Sequence, residues 1–141
     1  MSVEIEFPLE FLVEGTPVSL QAKERRSIEQ WKSRIVQASR AVLPEGHFAT
    51  KVPLAITIFY FPLDPMEGDL DNIVKPILDA LERHIYINDK QIHRILVQKF
   101  ELTDLLDIFT TPSPTLQHAL NRSTSRLYIR LSDNPYEDLV A

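Results

Sequence analysis

The spacing of apolar and polar positions divides the chain into short strand-like runs and two longer helical stripes. Over residues 7–13, Phe7, Leu9, Phe11 and Val13 share one face of a strand through their period of two. Pro8 lacks a ladder N–H, which suits an edge strand or a strand start. Gly15-Thr16-Pro17 breaks that run. Over residues 27–42 the spacing changes to three and four, with Ile28, Trp31, Ile35, Ala38 and Val42 on one stripe of a helix. Ser27, with Gln30 three positions on, has the form of a capping box that opens this helix. Leu43-Pro44-Glu45-Gly46 closes it. Residues 52–61 are β-branched and aromatic on both faces, which predicts a central strand.

A second helix is predicted over 71–83, with Ile73, Ile77, Leu78 and Leu81 turned inward. Proline clashes with the preceding turn unless it stands near a helix start, so Pro76 requires this helix to begin only a few residues earlier. Residues 85–87 read as a short extended piece before an Asn88-Asp89 turn, and residues 92–102 and 127–131 as two further strands. Residues 110–125 read as loop with one helical turn. Residues 1–132 then form one domain, and 133–141 a loosely held C-terminal tail.

Composition narrows the function classes. A chain of 141 residues with 44% hydrophobic content is long enough for one packed core. No apolar run approaches the roughly 18–20 residues that span a bilayer. Met1-Ser2-Val3-Glu4 has neither a basic region nor an apolar signal core, which reads as cytoplasmic. The absence of cysteine excludes a disulfide framework, a thiolate zinc site and a cysteine nucleophile. His47, His84, His93 and His118 show no metal-ligand spacing and receive no role. The net charge of −5 argues at first sight against a nucleic-acid partner. That charge is local, however. Between positions 64 and 89 stand Asp64, Glu67, Asp69, Asp71, Asp79, Glu82 and Asp89 against Lys75 and Arg83, and the remainder balances at 13 basic and 13 acidic residues. Clustered like charges repel unless solvent or a bound cation relieves them. For Glu67, Asp79 and Glu82 the competing reading is a solvated acidic face.

The segment Gly68-Asp69-Leu70-Asp71-Asn72-Ile73-Val74-Lys75-Pro76 carries the candidate chemistry. In extended backbone Asp69 and Asp71 leave the same face, and Asp71 and Lys75, four apart, share one face of the first helical turn. Carboxylate oxygens of this kind suit Mg²⁺, with Mn²⁺ as a substitute. Such an ion polarises a phosphodiester and supplies hydroxide near neutral pH, while Lys75 can hold the attacking water or offset charge on the phosphorus. The competing reading of Asp-x-Asp-Asn is a helix cap. Asp89, after the short extended piece, lies where the chain can return to the helix start, and its competing reading is a plain turn.

The run from Gly68 through Lys75 to Leu81, followed by Asn88-Asp89-Lys90-Gln91-Ile92, resembles the signature of the RusA family of crossover-junction endodeoxyribonucleases. Residues 50–102 match well, and the stretch from Phe11 to Trp31, with Gly15 and Pro17, agrees more loosely with that family's N-terminal half. The resemblance places the family's catalytic aspartates on Asp69, Asp71 and Asp89 as metal ligands and its lysine on Lys75. It implies a mixed α+β single domain, with a small mixed β-sheet packed against two main helices. It also implies a homodimer, Mg²⁺-dependent hydrolysis and Holliday junctions, four-way DNA, as substrate. Family members often carry Asp-Asp where this chain has Asn88-Asp89, and an arginine run where it has Asp64-Pro65-Met66-Glu67-Gly68. These differences keep open a second class, a DNA- or protein-binding module on the same fold with weak or no catalysis. Lys23, Arg25, Arg26 and Lys32 around the first helix, and Lys90 and Arg94 beyond Asp89, are candidate DNA-backbone contacts. Lys99, Arg122, Arg126 and Arg130 extend the basic set.

Overall fold

The computed structural model describes residues 3–19, 25–63, 68–101, 109–121 and 123–139. Strand β1 (Leu9–Glu14) is followed by helix α1 (Arg25–Arg40), strand β2 (Leu54–Phe61), a 3₁₀ turn (Leu70–Ile73) that runs into helix α2 (Val74–Leu81), a second 3₁₀ turn (Asp89–Gln91), strand β3 (Ile92–Lys99), helix α3 (Pro114–Ala119) and strand β4 (Arg126–Ser132). The four strands form one mixed sheet in the order β1-β4-β2-β3. β4 pairs antiparallel with both β1 and β2, while β2 and β3 pair in parallel. A parallel pair needs a crossover connection, and that crossover is the segment holding Asp69, Asp71 and Lys75.

The period of two explains the two layers. Leu9, Phe11 and Val13 of β1, Leu54, Ile56, Ile58 and Tyr60 of β2, and Leu127, Ile129 and Leu131 of β4 face α1 and α2 in the main core. Their alternates Leu12, Phe59, Phe61 and Tyr128 build a second cluster with Phe100, Leu116 and Ala119, which α3 covers. β2 is therefore buried on both faces, as its composition predicts. β1 is an edge strand, as Pro8 predicts.

Helix α1 differs from its expected frame. It is already helical at Arg25, so Ser27 lies inside the helix and the Ser27–Gln30 pair is not its cap. Arginine is a good helix former, and two of them extend the helix past the serine. The helix stops at Arg40, which leaves Val42 outside it and 43% exposed. The buried stripe is Trp31, Ile35 and Ser39. Ser39 is buried because its hydroxyl donates to the Val36 carbonyl at 2.6 Å and meets His84 Nε2 at 2.8 Å. His47 Nε2 in turn reaches the His84 carbonyl at 3.0 Å, so these two histidines serve the fold.

Residues 133–139 of the expected tail fold back on the sheet through ion pairs of Glu137 with Arg130 and of Asp138 with Arg94, each 2.5 Å long. Among the described residues, no helix is long and apolar enough to cross a membrane.

Candidate active site

The site begins where the chain leaves β2. Leu63 donates its N–H to Ser125 Oγ at 3.0 Å, and Gly68 turns the chain with a φ of +85°. Among the described residues nothing lies within 4 Å of a Cβ built on Gly68, so conformation and not space favours glycine there. Asp69 follows in extended backbone, with φ −95° and ψ 140°, at the N-cap position of the 3₁₀ turn. Its carbonyl accepts the Asn72 N–H at 3.1 Å, yet its side chain makes no capping bond. The capping alternative is thus not realised for this carboxylate, which stands exposed. Asp71 is exposed on the turn itself. Asp69 and Asp71 do not share the face of one extended strand, because the backbone turns at Leu70 instead of continuing extended. Buried Ile73 anchors the turn, and Pro76 is the third residue of α2, where a missing N–H is tolerated.

Lys75 joins the two halves of the site. Its Nζ stands 2.9 Å from Asp79 Oδ1 and 3.2 Å from Asp89 Oδ2. The hydrogen bond to Asp79, followed by that to Asp89, holds the ammonium charged above the ordinary lysine range. Among the described residues Lys75 makes no ion pair with Asp71; it turns to Asp79, one helical turn further on. Asp79, read from sequence as a solvated acid, is the nearest partner of the candidate catalytic lysine.

Asp89 is placed by a turn that the side chain of Gln91 staples. Gln91 Oε1 accepts the N–H groups of Ile87 at 2.8 Å and Asn88 at 2.9 Å, while its Nε2 donates to the carbonyls of Thr50 at 2.9 Å and Val52 at 3.0 Å. Asn88 Oδ1 accepts the Lys90 N–H at 2.8 Å, so this amide is a cap and its oxygen is engaged in the turn. Behind the turn, the buried Tyr86 hydroxyl donates to the Leu78 carbonyl at 2.5 Å and ties the return segment to α2. Burial, reinforced by the charges of Asp89, Glu82 and Asp79, keeps that phenol protonated well above the usual tyrosine range. Sequence reasoning missed Gln91, although the capping-box spacing applied at Ser27 holds here between Asn88 and Gln91.

In kind, the donor set fits a hard divalent cation: Asp69, Asp71 and Asp89 offer carboxylate oxygens at or near the surface. Among the described residues, however, no three such side chains are gathered as a ready ligand cluster. Of the basic residues, Arg25 and Arg26 are exposed on the first turn of α1, and Lys90 is exposed beside Asp89. Lys32 lies 3.5 Å from Glu29, and Arg94 is paired with Asp138. Lys23 and Arg122 lie outside the described residues. Two others serve the fold and not a DNA track. Buried Arg126 donates to the His118 carbonyl and to the hydroxyls of Ser123 and Thr124. Arg130 is bound to Glu137, each holding the other in its charged form.

A family model described as Endodeoxyribonuclease RusA matches residues 14–104, a span that contains Asp69, Asp71, Lys75 and Asp89. No curated protein matches the chain.

Proposed function

Because the chain belongs to the RusA endodeoxyribonuclease family, we propose that it resolves Holliday junctions by Mg²⁺-dependent phosphodiester hydrolysis, with Asp69, Asp71 and Asp89 as the metal ligands. The observation that carries this reading is the environment of Asp69: it stands at a cap position, caps nothing, and is left exposed beside Asp71. Mg²⁺, for which Mn²⁺ substitutes, supplies a polarised phosphoryl oxygen and a water acidic enough to attack near neutral pH. Lys75, already bonded to Asp89, places an ammonium where charge builds on the phosphorus. Its second bond, to Asp79, supports it from its own helix. Paired nicks in opposing strands need two sites related by a two-fold axis, so the cutting species is a homodimer.

A junction-binding module with little catalysis is the second reading. It is favoured by the commitment of the Asn88 amide to its turn and by the lack of a ready three-carboxylate cluster among the described residues.

Incubation with a synthetic four-way junction separates the two. With Mg²⁺ the wild-type chain is expected to nick opposing strands symmetrically and to leave linear duplex largely intact. Asp69→Asn, Asp71→Asn and Asp89→Asn should each abolish cutting yet retain junction binding, since each removes ligand charge and also repulsion towards phosphates. Lys75→Ala should slow single-turnover cutting by about a hundredfold or more, the typical cost of losing one preorganised charge contact. Wild-type chain that binds junctions but cuts none with Mg²⁺ or Mn²⁺ supports the second reading. Cutting that survives Asp71→Asn refutes the assigned site.

A further inference from the structure

Arg34 stands apart from the other arginines of α1 in how it is held. Its Nη1 donates to the Glu14 carbonyl at 3.2 Å, across the bend by which β1 ends. Gly15 makes that approach possible: a Cβ there would lie 2.5 Å from Arg34 Nη1, and the glycine adopts a φ of +121°. The bend is itself fixed by a 2.8 Å bond from Gly15 N–H to the Ser125 carbonyl. Among the described residues, Arg34 makes no ion pair, and it is exposed. Glu14, whose carbonyl accepts that bond, directs its carboxylate to buried Arg126 at 3.6 Å.

Two cavities share Arg34 and Thr16. One, of about 520 Å³, extends to Ser125 and Leu63, at the start of the segment that leads to Asp69. The other, of about 380 Å³, extends along α1 to Gln30 and Ser27, next to exposed Arg25 and Arg26. Trp31 also lines the second cavity, and its indole Nε1–H is buried with no hydrogen-bond partner among the described residues. An unmet buried donor is costly unless an acceptor reaches it. Hydroxyls, an amide and a guanidinium line the two cavities, a set rich in donors that favours anionic oxygen. The planar fork of arginine matches phosphate, and phosphate contacts fix the register of a bound duplex.

We propose that Arg34, seated over Gly15, binds one backbone phosphate of the DNA strand, and that the two cavities it joins mark the path of that strand from the carboxylate segment to Arg25 and Arg26. The proposal rests on the reading above that the chain binds and cuts branched DNA.

The test is binding of the full chain to a synthetic four-way junction, without divalent ions and over a series of salt concentrations. Losing one phosphate contact lowers the slope of log affinity against log salt by about 0.9. Arg34→Gln is therefore expected to bind about tenfold more weakly with a slope shallower by about one, at an unchanged melting temperature because the side chain is exposed. Arg34→Lys keeps the charge but not the fork, so it should keep the wild-type slope and lose affinity severalfold. In a scan of single neutral methylphosphonates through the junction strands, one position should weaken the wild-type chain and leave Arg34→Gln unaffected. Arg40→Gln, at the far end of the same helix, should keep the wild-type slope. An unchanged slope in Arg34→Gln, or an equal loss in Arg40→Gln, overturns the proposal. If the wild-type chain still cuts junctions in that case, the nuclease reading stands without it; a wild-type chain that binds no DNA overturns both.

Discussion

Two residues occupy N-cap positions beside the site and use them differently. Asn88 accepts a backbone N–H and closes its turn, whereas Asp69 makes no capping bond. An amide oxygen engaged at 2.8 Å in a turn is a poor candidate for a ligand, while a carboxylate that makes no capping bond is available. His84 also has a role set by its immediate surroundings. Burial, followed by the charges of His47 and Arg40, lowers its imidazole from 6.5 to about 4. Its pKa is thus depressed on folding, and between pH 6.5 and 4 the unfolded chain binds more protons than the folded one. The stabilisation from neutral His84 is complete above pH 6.5 and is lost as pH falls towards 4. The ring is only partly buried, so the loss is about 1–2 kcal/mol, less than an undiscounted shift would give. Urea denaturation at pH 7.5, 5.5 and 4.5 should show this fall in the wild-type chain and a smaller one in His84→Gln. Equal falls in the two proteins would assign the acid sensitivity to other groups.

Gln91 governs the element that presents Asp89. Its four hydrogen bonds hold the return segment and the Thr50–Val52 backbone in one arrangement, and intramolecular bonds of this kind contribute about 0.5–1.5 kcal/mol each. Some of the freed groups would reach water, so Gln91→Ala should cost about 2–3 kcal/mol. Gln91→Glu should cost nearly as much: its carboxylate can still accept from Ile87 and Asn88 but has no donor for the two carbonyls. Chemical denaturation checks both, and a glutamate variant as stable as wild type would show that the carbonyl bonds contribute little. The same element shows what was legible in the sequence. The strands and the stripe over Ile73, Ile77, Leu78 and Leu81 could be read because burial follows a fixed period. The aspartates and Lys75 could be read because they fall in one short motif. The pairing of Lys75 with Asp79 and the staple from Gln91 could not, because they depend on how side chains compete for partners once the chain has folded. Ser27 failed as a cap for a related reason. A capping pattern marks a helix start only where the preceding residues stop being helical, and Arg25 and Arg26 do not.

Over the whole molecule, the charge distribution determines what a cation does to stability. The excess of −5 is confined to positions 64–89 and the rest is balanced. Within that stretch Lys75 serves Asp79 and Asp89, while Asp69 and Asp71 have no ion pair among the described residues. A divalent ion bound between these carboxylates relieves the repulsion in the folded chain only, since unfolding separates Asp69 from Asp89. Ligand present at about 100 times its dissociation constant then adds about 2.7 kcal/mol, which for a domain of this length raises Tm by about 8–10 °C. Sodium chloride at matched ionic strength screens the same charges without bridging them and should raise Tm much less. Asp71→Asn lowers the repulsion and removes a ligand at once. It should therefore melt slightly higher than wild type without Mg²⁺ and gain less from it. Calorimetry of both proteins over a Mg²⁺ titration, and of the wild type in matched sodium chloride, measures these shifts. A wild-type shift no larger than that given by sodium chloride would mean that Asp69, Asp71 and Asp89 do not share an ion.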